Sequence, residues 1–241
     1  QILFRELLAP GGTGVVFADR EDGRRMRAAI AGRVLTVSTT PGVGADVAVS
    51  RASLDGHGVR ADVTTPRGPF ELRSPLVGDF NLQNLLLATG IALALEVPLD
   101  AIASAAAGLP GVPGRLERVD NEAGVLCVVD YAHTPDGLER AMAALRPLAR
   151  RRLVTVFGCG GDRDPKKRPI MGEAAARDSD LCIVTSDNPR TEEPVRIIEM
   201  ILEGVARTGA RVLEAGAVDG DARGVHVELD RRTAIRRAIA A

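Results

Sequence analysis

The sequence predicts an α/β fold built on an open parallel sheet, and three observations carry that expectation. Residues 153–190 hold two short apolar runs, Leu153 to Phe157 and Leu181 to Thr185, each the length of a buried strand. Between them Pro169 to Arg177 reads as a short helix, so the stretch is a strand, loop, helix, strand unit. If its strands are parallel, the polar clusters Gly158 to Arg168 and Ser186 to Arg190 leave the carboxyl edge of one sheet, where open α/β sheets bind ligands.

The other elements follow in chain order. FRELLAPGG near the start reads as a helix end, which suggests a chain that begins partway through a domain. Gly14 to Ala18, Arg33 to Ser38, Asp46 to Leu54, Gly58 to Thr65 and Phe70 to Arg73 are strand-like runs separated by Gly and Pro turns, much of it antiparallel in pattern. LLLATGIALALEV, after Asn81 and Asn84, is too apolar around its circumference for a surface helix and is expected in the core. Pro98 and Asp100 open a helix to Ala107. The Gly and Pro cluster Gly108 to Gly114 is the expected domain boundary.

Gly124 to Val129 reads as a fully apolar strand ending in Asp130-Tyr131-Ala132-His133. Thr134 as N-cap and Pro135 at the first helical position then start a helix with Leu138, Ala141, Met142 and Leu145 on one face. After the central unit, Glu192 and Glu193 begin a helix whose buried stripe is Ile197, Ile198, Ile201, Leu202 and Val205, with Gly209 as its stop. Arg211 to Leu213 and Val225 to Val227 are further strands, Glu214 to Gly224 a loop, and Thr233 to Ala241 a last helix.

Composition narrows the function. A chain of 241 residues, 45% hydrophobic and 26% charged, is a globular protein of one or two domains. Its formal net charge of -1 supplies no global field for nucleic acid or an anionic membrane, and 2% aromatics without Trp leaves no base-stacking platform. No apolar stretch reaches the ~18 residues of a membrane span, and Gln1 opens without a basic n-region or a signal-peptide h-region, so a cytoplasmic protein is expected. Cys127, Cys159 and Cys182 have no CxxC spacing and read as reduced thiols, although Cys159 in the Gly-rich loop could serve as a nucleophile.

Two readings stand for each polar cluster. Gly158 to Asp164, followed by Lys166, Lys167 and Arg168, suits a phosphate or carboxylate near backbone N–H groups, or is a tight turn with a solvated charge run. It fits neither GxGxxG nor GxxxxGK[ST]. Asp187-Asn188-Pro189-Arg190 can grip a zwitterion, Arg190 taking a carboxylate through its planar fork, or can be a Pro-terminated turn before a helix. Asp130 and His133 could meet a nucleotide or a metal-bound phosphate, or serve only in capping. Asn81 and Asn84 could be an N-cap and a surface amide.

Taken together, PLVGDFNLQN (75–84), LPGVPGRLERVD (109–120), VVDYAHTPDGLE (128–139), VFGCGGDRDPKKRPIMG (156–172) and TSDNPRTEEP (185–194) closely resemble the Mur ligase family, in particular its diaminopimelate-adding members. The resemblance implies that residues 1–110 are the later part of a central ATP-binding domain and 111–241 a truncated Rossmann-like C-terminal domain that binds the incoming amino acid. It implies ATP with Mg2+ as cofactors and no metal held by the chain alone. The implied reaction joins meso-diaminopimelate to the D-glutamate γ-carboxylate of UDP-MurNAc-L-Ala-D-Glu. Asn81, Asn84, Arg115, Asp130 and His133 match nucleotide-contacting places, and Arg163 with Asp187, Asn188, Pro189 and Arg190 matches the diaminopimelate site; catalytic residues are not assigned.

The family's UDP-sugar domain, GTNGKT-type phosphate loop, modified lysine and late GKGHE motif have no counterpart here, and VVFADREDGRR (15–25) keeps its V-x-N-A-D-D-x-x-G-R-R motif only in part. The expectation is therefore an incomplete piece that does not turn over alone. A lysine-adding Mur ligase, a folylpolyglutamate-type ligase and a non-catalytic amino-acid-binding module are the alternatives.

Overall fold

A computed structural model describes residues 2–214, 218 and 221–241, which separate into two compact units, residues 1–118 and 119–241. The first contains α1 (Ile2–Arg5), β1 (Thr13–Phe17), α2 (Glu21–Ala28), β2 (Arg33–Ser38), β3 (Val47–Asp55), β4 (Gly58–Thr64), β5 (Phe70–Ser74), α3 (Asp79–Ala94) and α4 (Leu99–Ala107). Its strands form one sheet in the order β1-β2-β3-β4-β5.

The antiparallel expectation holds for only half of this sheet. β3, β4 and β5 pair antiparallel, but β1, β2 and β3 are parallel. The parallel half is possible because α2 carries the chain back between β1 and β2, as a parallel pair requires. This helix, EDGRRMRA, has no apolar stripe to reveal it. It sits close to the strand because residue 23 is glycine: a Cβ there would fall 1.5 Å from the Phe17 carbonyl oxygen.

α3 is likewise less enclosed than its composition suggests. Leu82, Leu85, Leu86 and Leu93 face the sheet core, with Gly90 fitted against Val15 and Val37. On its other side Asn84, Ala88, Ile91 and Leu95 are exposed. An apolar sequence states a preference for burial, but a helix against one sheet face can bury only the stripe that meets it.

The second unit contains a two-stranded ribbon of β6 (Glu117–Val119), whose first residues precede the unit boundary, and β7 (Cys127–Val129). It continues with α5 (Pro135–Leu145), a 3-10 turn at Arg146–Leu148, β8 (Val154–Phe157), α6 (Lys167–Asp178), β9 (Leu181–Val184), α7 (Pro194–Thr208), β10 (Val212–Leu213), β11 (Gly224–Val227) and α8 (Arg231–Ala240). The main sheet is wholly parallel, in the order β10-β11-β9-β8. β9 runs through its centre with all four residues buried.

Period-two alternation divides that core. Cys182 and Val184 join the cluster made with α5, α6 and α7, whereas Leu181 and Ile183 face Ala234 of α8. The result is three layers, helix on sheet on helix. The strand expected over 124–129 is shorter than foreseen and lies outside the four-stranded sheet, with Val125, Leu126 and Val129 exposed. Apolar character marks a strand without naming its partner. Thr134 caps α5 as expected, its hydroxyl accepting from Gly137 N at 3.2 Å. Asp230 caps α8, so that helix starts at Arg231 rather than Thr233. Of the loop expected over 214–224, residues 215–217, 219 and 220 lie outside the described residues.

Candidate functional site

β8, β9 and β11 are parallel, so the segments that follow them gather at one edge of the second unit. Gly158–Lys166 leaves β8, Thr185–Glu193 leaves β9, and Glu228–Asp230 leads from β11 into α8. Glycine permits the first two to touch. A Cβ on Gly158 would lie 2.2 Å from the Thr185 oxygen, and one on Gly161 would lie 1.8 Å from the Pro189 oxygen.

Hydrogen bonds then clasp the two loops. Gly161 N donates to Asn188 O at 3.1 Å, and the Arg190 Nη1 donates back to Gly161 O. Asp162 N donates to Glu192 Oε1 at 2.6 Å, while the Asp162 carboxylate accepts from Thr191 Oγ1 at 2.7 Å and Thr191 N at 3.3 Å. Three residues of the clasp that are not glycine, Asp162, Asn188 and Arg190, have positive φ values of 51°, 34° and 54°. Such backbone persists only where surrounding structure holds it, and it concentrates at ligand sites.

The basic run after the Gly-rich loop is not a solvated face open to an anion. Arg168 is 1% exposed, and its fork is occupied: Nη2 donates to Glu192 Oε1 at 2.7 Å and Nη1 to Glu192 Oε2 at 2.8 Å. Nη2 also reaches Gly160 O at 3.3 Å, and Nε has no partner among the described residues. The Arg168 hydrogen bonds hold the Glu192 carboxyl down at about 2. Lys167 is also committed, its Nζ donating to His133 O at 2.7 Å. Lys166 remains exposed.

The expected diaminopimelate residues are thus brought to one edge. Asp187 and Pro189 are half-buried; Asn188, Arg190 and Arg163 are exposed. Among the described residues Arg163 reaches only its neighbour's carbonyl, Asp162 O, at 3.5 Å. Arg231, which sequence reasoning missed, adds a cation: Nη1 is 3.9 Å from Asp187 Oδ1 and 3.5 Å from Ser186 O. The edge therefore offers several guanidinium groups around one short carboxylate-bearing turn, an arrangement suited to a zwitterion with extra carboxylate charge.

The expected nucleotide residues belong to both units. In the first, Asn81 is buried in the opening turn of α3 and its Nδ2 donates to Val77 O at 2.7 Å, while Asn84 and Arg115 are exposed. In the second, Asp130 is half-buried and His133 exposed on the turn before α5. His133 Nδ1 bonds the Tyr131 carbonyl at 3.0 Å; a carbonyl only accepts, so Nδ1 carries the proton and Nε2 is the acceptor of the neutral ring. Cys159 is 3% exposed with its Sγ 3.7 Å from the Met171 sulfur, and burial pushes its thiol up to about 11, which disfavours the thiolate a nucleophile needs. A cleft of about 700 Å³ in the first unit is lined by Arg51, His57, Arg60 and Arg73 among others, and none of the candidate site residues is part of its lining.

Residues 2–92 match the Mur ligase middle domain, and residues 114–241 match the domain described as Mur ligase, glutamate ligase domain. The chain belongs to the Mur ligase family. It is 47% identical, over 229 residues, to a Gloeobacter violaceus protein named UDP-N-acetylmuramoyl-L-alanyl-D-glutamate--2,6-diaminopimelate ligase, covering 95% of this chain and 43% of that protein. A solved structure of a ligase with the same name superposes with TM-score 0.64 at 33% identity, covering 93% of this chain and 44% of the other. A Mycobacterium tuberculosis folylpolyglutamate synthase complexed with ADP shares the fold, with TM-score 0.66 at 20% identity over 95% of this chain and 48% of its own length. The chain spans less than half the length of these relatives.

Proposed function

We propose that this chain supplies the amino-acid-binding and part of the nucleotide-binding machinery of a cytoplasmic, ATP-dependent ligase that adds meso-diaminopimelate to UDP-MurNAc-L-Ala-D-Glu. On this reading residues 1–110 are the later part of the central ATP-binding domain and 111–241 the amino-acid-binding domain. The observation that carries it is the clasp at the carboxyl edge of β8 and β9, which holds Arg190 beside the Gly-rich loop with Arg163 on the same loop system.

The chemistry follows from the bond to be made. A carboxylate is a poor electrophile, and an amine cannot expel an oxide from it. Transfer of the ATP γ-phosphoryl group to the D-glutamate γ-carboxylate makes an acyl phosphate; the amine then attacks the acyl carbon, phosphate departs with the C–O electrons and the nitrogen loses a proton. Asn81, Asn84, Arg115, Asp130 and His133 are proposed on the nucleotide side. Among the described residues no group of three or more His, Cys, Asp or Glu could hold a metal. Mg2+, which neutralises phosphate charge when bound, would arrive largely on the nucleotide's own oxygens, as this ion commonly does.

The amino-acid side is proposed to be Arg163, Asp187, Asn188, Pro189 and Arg190, with Arg190 facing the distal carboxylate that distinguishes diaminopimelate from lysine. Steady-state kinetics of Arg190→Ala, in a full-length ligase carrying this sequence, tests it. Losing a charge-assisted hydrogen bond costs about 2 kcal/mol, so KM for meso-diaminopimelate should rise roughly 30-fold with little change for ATP. Equal changes in both constants would remove Arg190 from the amino-acid site.

A further inference from the structure

We propose that the Arg168–Glu192 ion pair is a positioning device that sets Arg190 and the Gly-rich loop for the incoming amino acid. The inference rests on the preceding reading that the Arg190 loop receives that amino acid. Neither residue is expected to touch it. Arg168 is enclosed, and the Glu192 carboxylate is turned toward Arg168 and the Asp162 backbone.

The geometry places this pair where four segments meet. Arg168 sits in the first turn of α6, and its guanidinium reaches Gly160 of the Gly-rich loop, Glu192 before α7 and, at 3.2 Å, the Met200 sulfur of α7. Glu192 N in turn donates to Pro189 O at 3.0 Å, so the same residue closes the turn that contains Arg190. The carboxylate also accepts from Asp162 N, fixing a residue with positive φ next to Arg163.

Arg190 itself has a left-handed backbone, a conformation disfavoured for a residue with a Cβ. Among the described residues its guanidinium makes one hydrogen bond, the part-buried contact to Gly161 O, for which a bound carboxylate could compete. What keeps the turn in place when the guanidinium is recruited by ligand must lie elsewhere, and the pair of enclosed Arg168 with half-buried Glu192 is the anchor that touches both sides of the clasp. A fork gripping a carboxylate through two parallel bonds fixes angle as well as distance, which a lysine at the same place could not do.

The test is a comparison of Glu192→Gln, Arg168→Lys and Arg190→Ala in a full-length ligase carrying this sequence, with meso-diaminopimelate and ATP each varied and the melting temperature recorded. Misplacing a binding group by about 1 Å costs on the order of 10- to 100-fold, so Glu192→Gln and Arg168→Lys should each raise KM for meso-diaminopimelate about tenfold or more while KM for ATP stays within about twofold. Arg168→Lys keeps the charge but loses the fork, and its failure to restore KM is the expected sign of positioning rather than of charge. Lowered melting temperature with KM values unmoved in the folded enzyme would make the pair purely structural and overturn the proposal. Should Arg168→Lys fail to fold, Glu192→Gln decides by the same criterion, since it keeps the side chain's size and an acceptor oxygen. If Arg190→Ala raises the meso-diaminopimelate KM and the other two do not, only the positioning role falls; if Arg190→Ala has no effect, the reading of the site falls first.

Discussion

Glu192 shows how one carboxylate can be read two ways. In the sequence it is an anion at a helix start, where the macrodipole favours it. In the structure it lies just before α7 and is committed to Arg168. Only the Arg168 side of the pair is buried, the Glu192 side chain being 32% exposed, so removing Glu192 leaves an expensive unpaired charge on the guanidinium. Its acid dependence has a definite sign. The folded carboxyl is held near 2 against an ordinary 4.5, so the stabilisation is complete above about pH 4.5 and is lost as pH falls toward 2. Urea denaturation of the wild type and of Glu192→Gln should differ most above pH 4.5 and converge toward pH 2. A difference that stays constant across that range would contradict the pairing.

The polar residues of the site were legible as residue types in short motifs, and Arg190, Asp187 and the Gly-rich loop stood out for that reason. Their commitments were not. Nothing in the spacing links Arg168 to Glu192, and Lys167 gives no sign that it serves the His133 carbonyl. Arg231 was passed over because it sits at the head of a helix far along the chain, and only the order of the parallel strands brings it to Asp187.

Among the elements, α6 and α7 depend on two glycines that sequence reasoning had no cause to single out. A Cβ on Gly172 would meet the Ile201 oxygen at 2.1 Å, and one on Gly204 would meet the Pro169 oxygen at 1.7 Å. Each helix thus brings a glycine to the other's backbone, and the close approach seats Arg168 beside Met200 and Glu192. Overpacking such a contact costs about 1–3 kcal/mol. Gly204→Ala should lower stability by roughly that amount in chemical denaturation and raise KM for the amino acid, because the helices must part. Unchanged stability would mean that the helices do not meet as closely as described.

Strands and strongly patterned helices could be read from period alone: β8, β9, β11, α5 and α7 fall within a few residues of their expected places. α2 could not be, since its arginines and acids carry no apolar stripe. The direction of β1 and β2 was hidden for the same reason, because an unseen crossover helix makes a parallel pair look like a meander.

At the scale of the whole molecule, two compact units carry the residues expected for two ligands. Asn81, Asn84 and Arg115 lie in the first, and the amino-acid set lies entirely in the second. The sequence places its boundary at the Gly and Pro cluster Gly108 to Gly114, a few residues before the division of the compact units at 118/119, and the family followed from motifs in unbroken order. The carboxyl edge of the second unit is proposed to select an amino acid with a distal carboxylate. The measurement that meets this most directly is the ratio of kcat/KM for meso-diaminopimelate to that for L-lysine, compared between a full-length ligase carrying this sequence and its Arg190→Ala variant. The expected result is a strong preference for meso-diaminopimelate that collapses by about 30-fold or more in the variant, because only one of the two substrates loses a partner. A ratio that stays the same, with both substrates weakened alike, would contradict the claim.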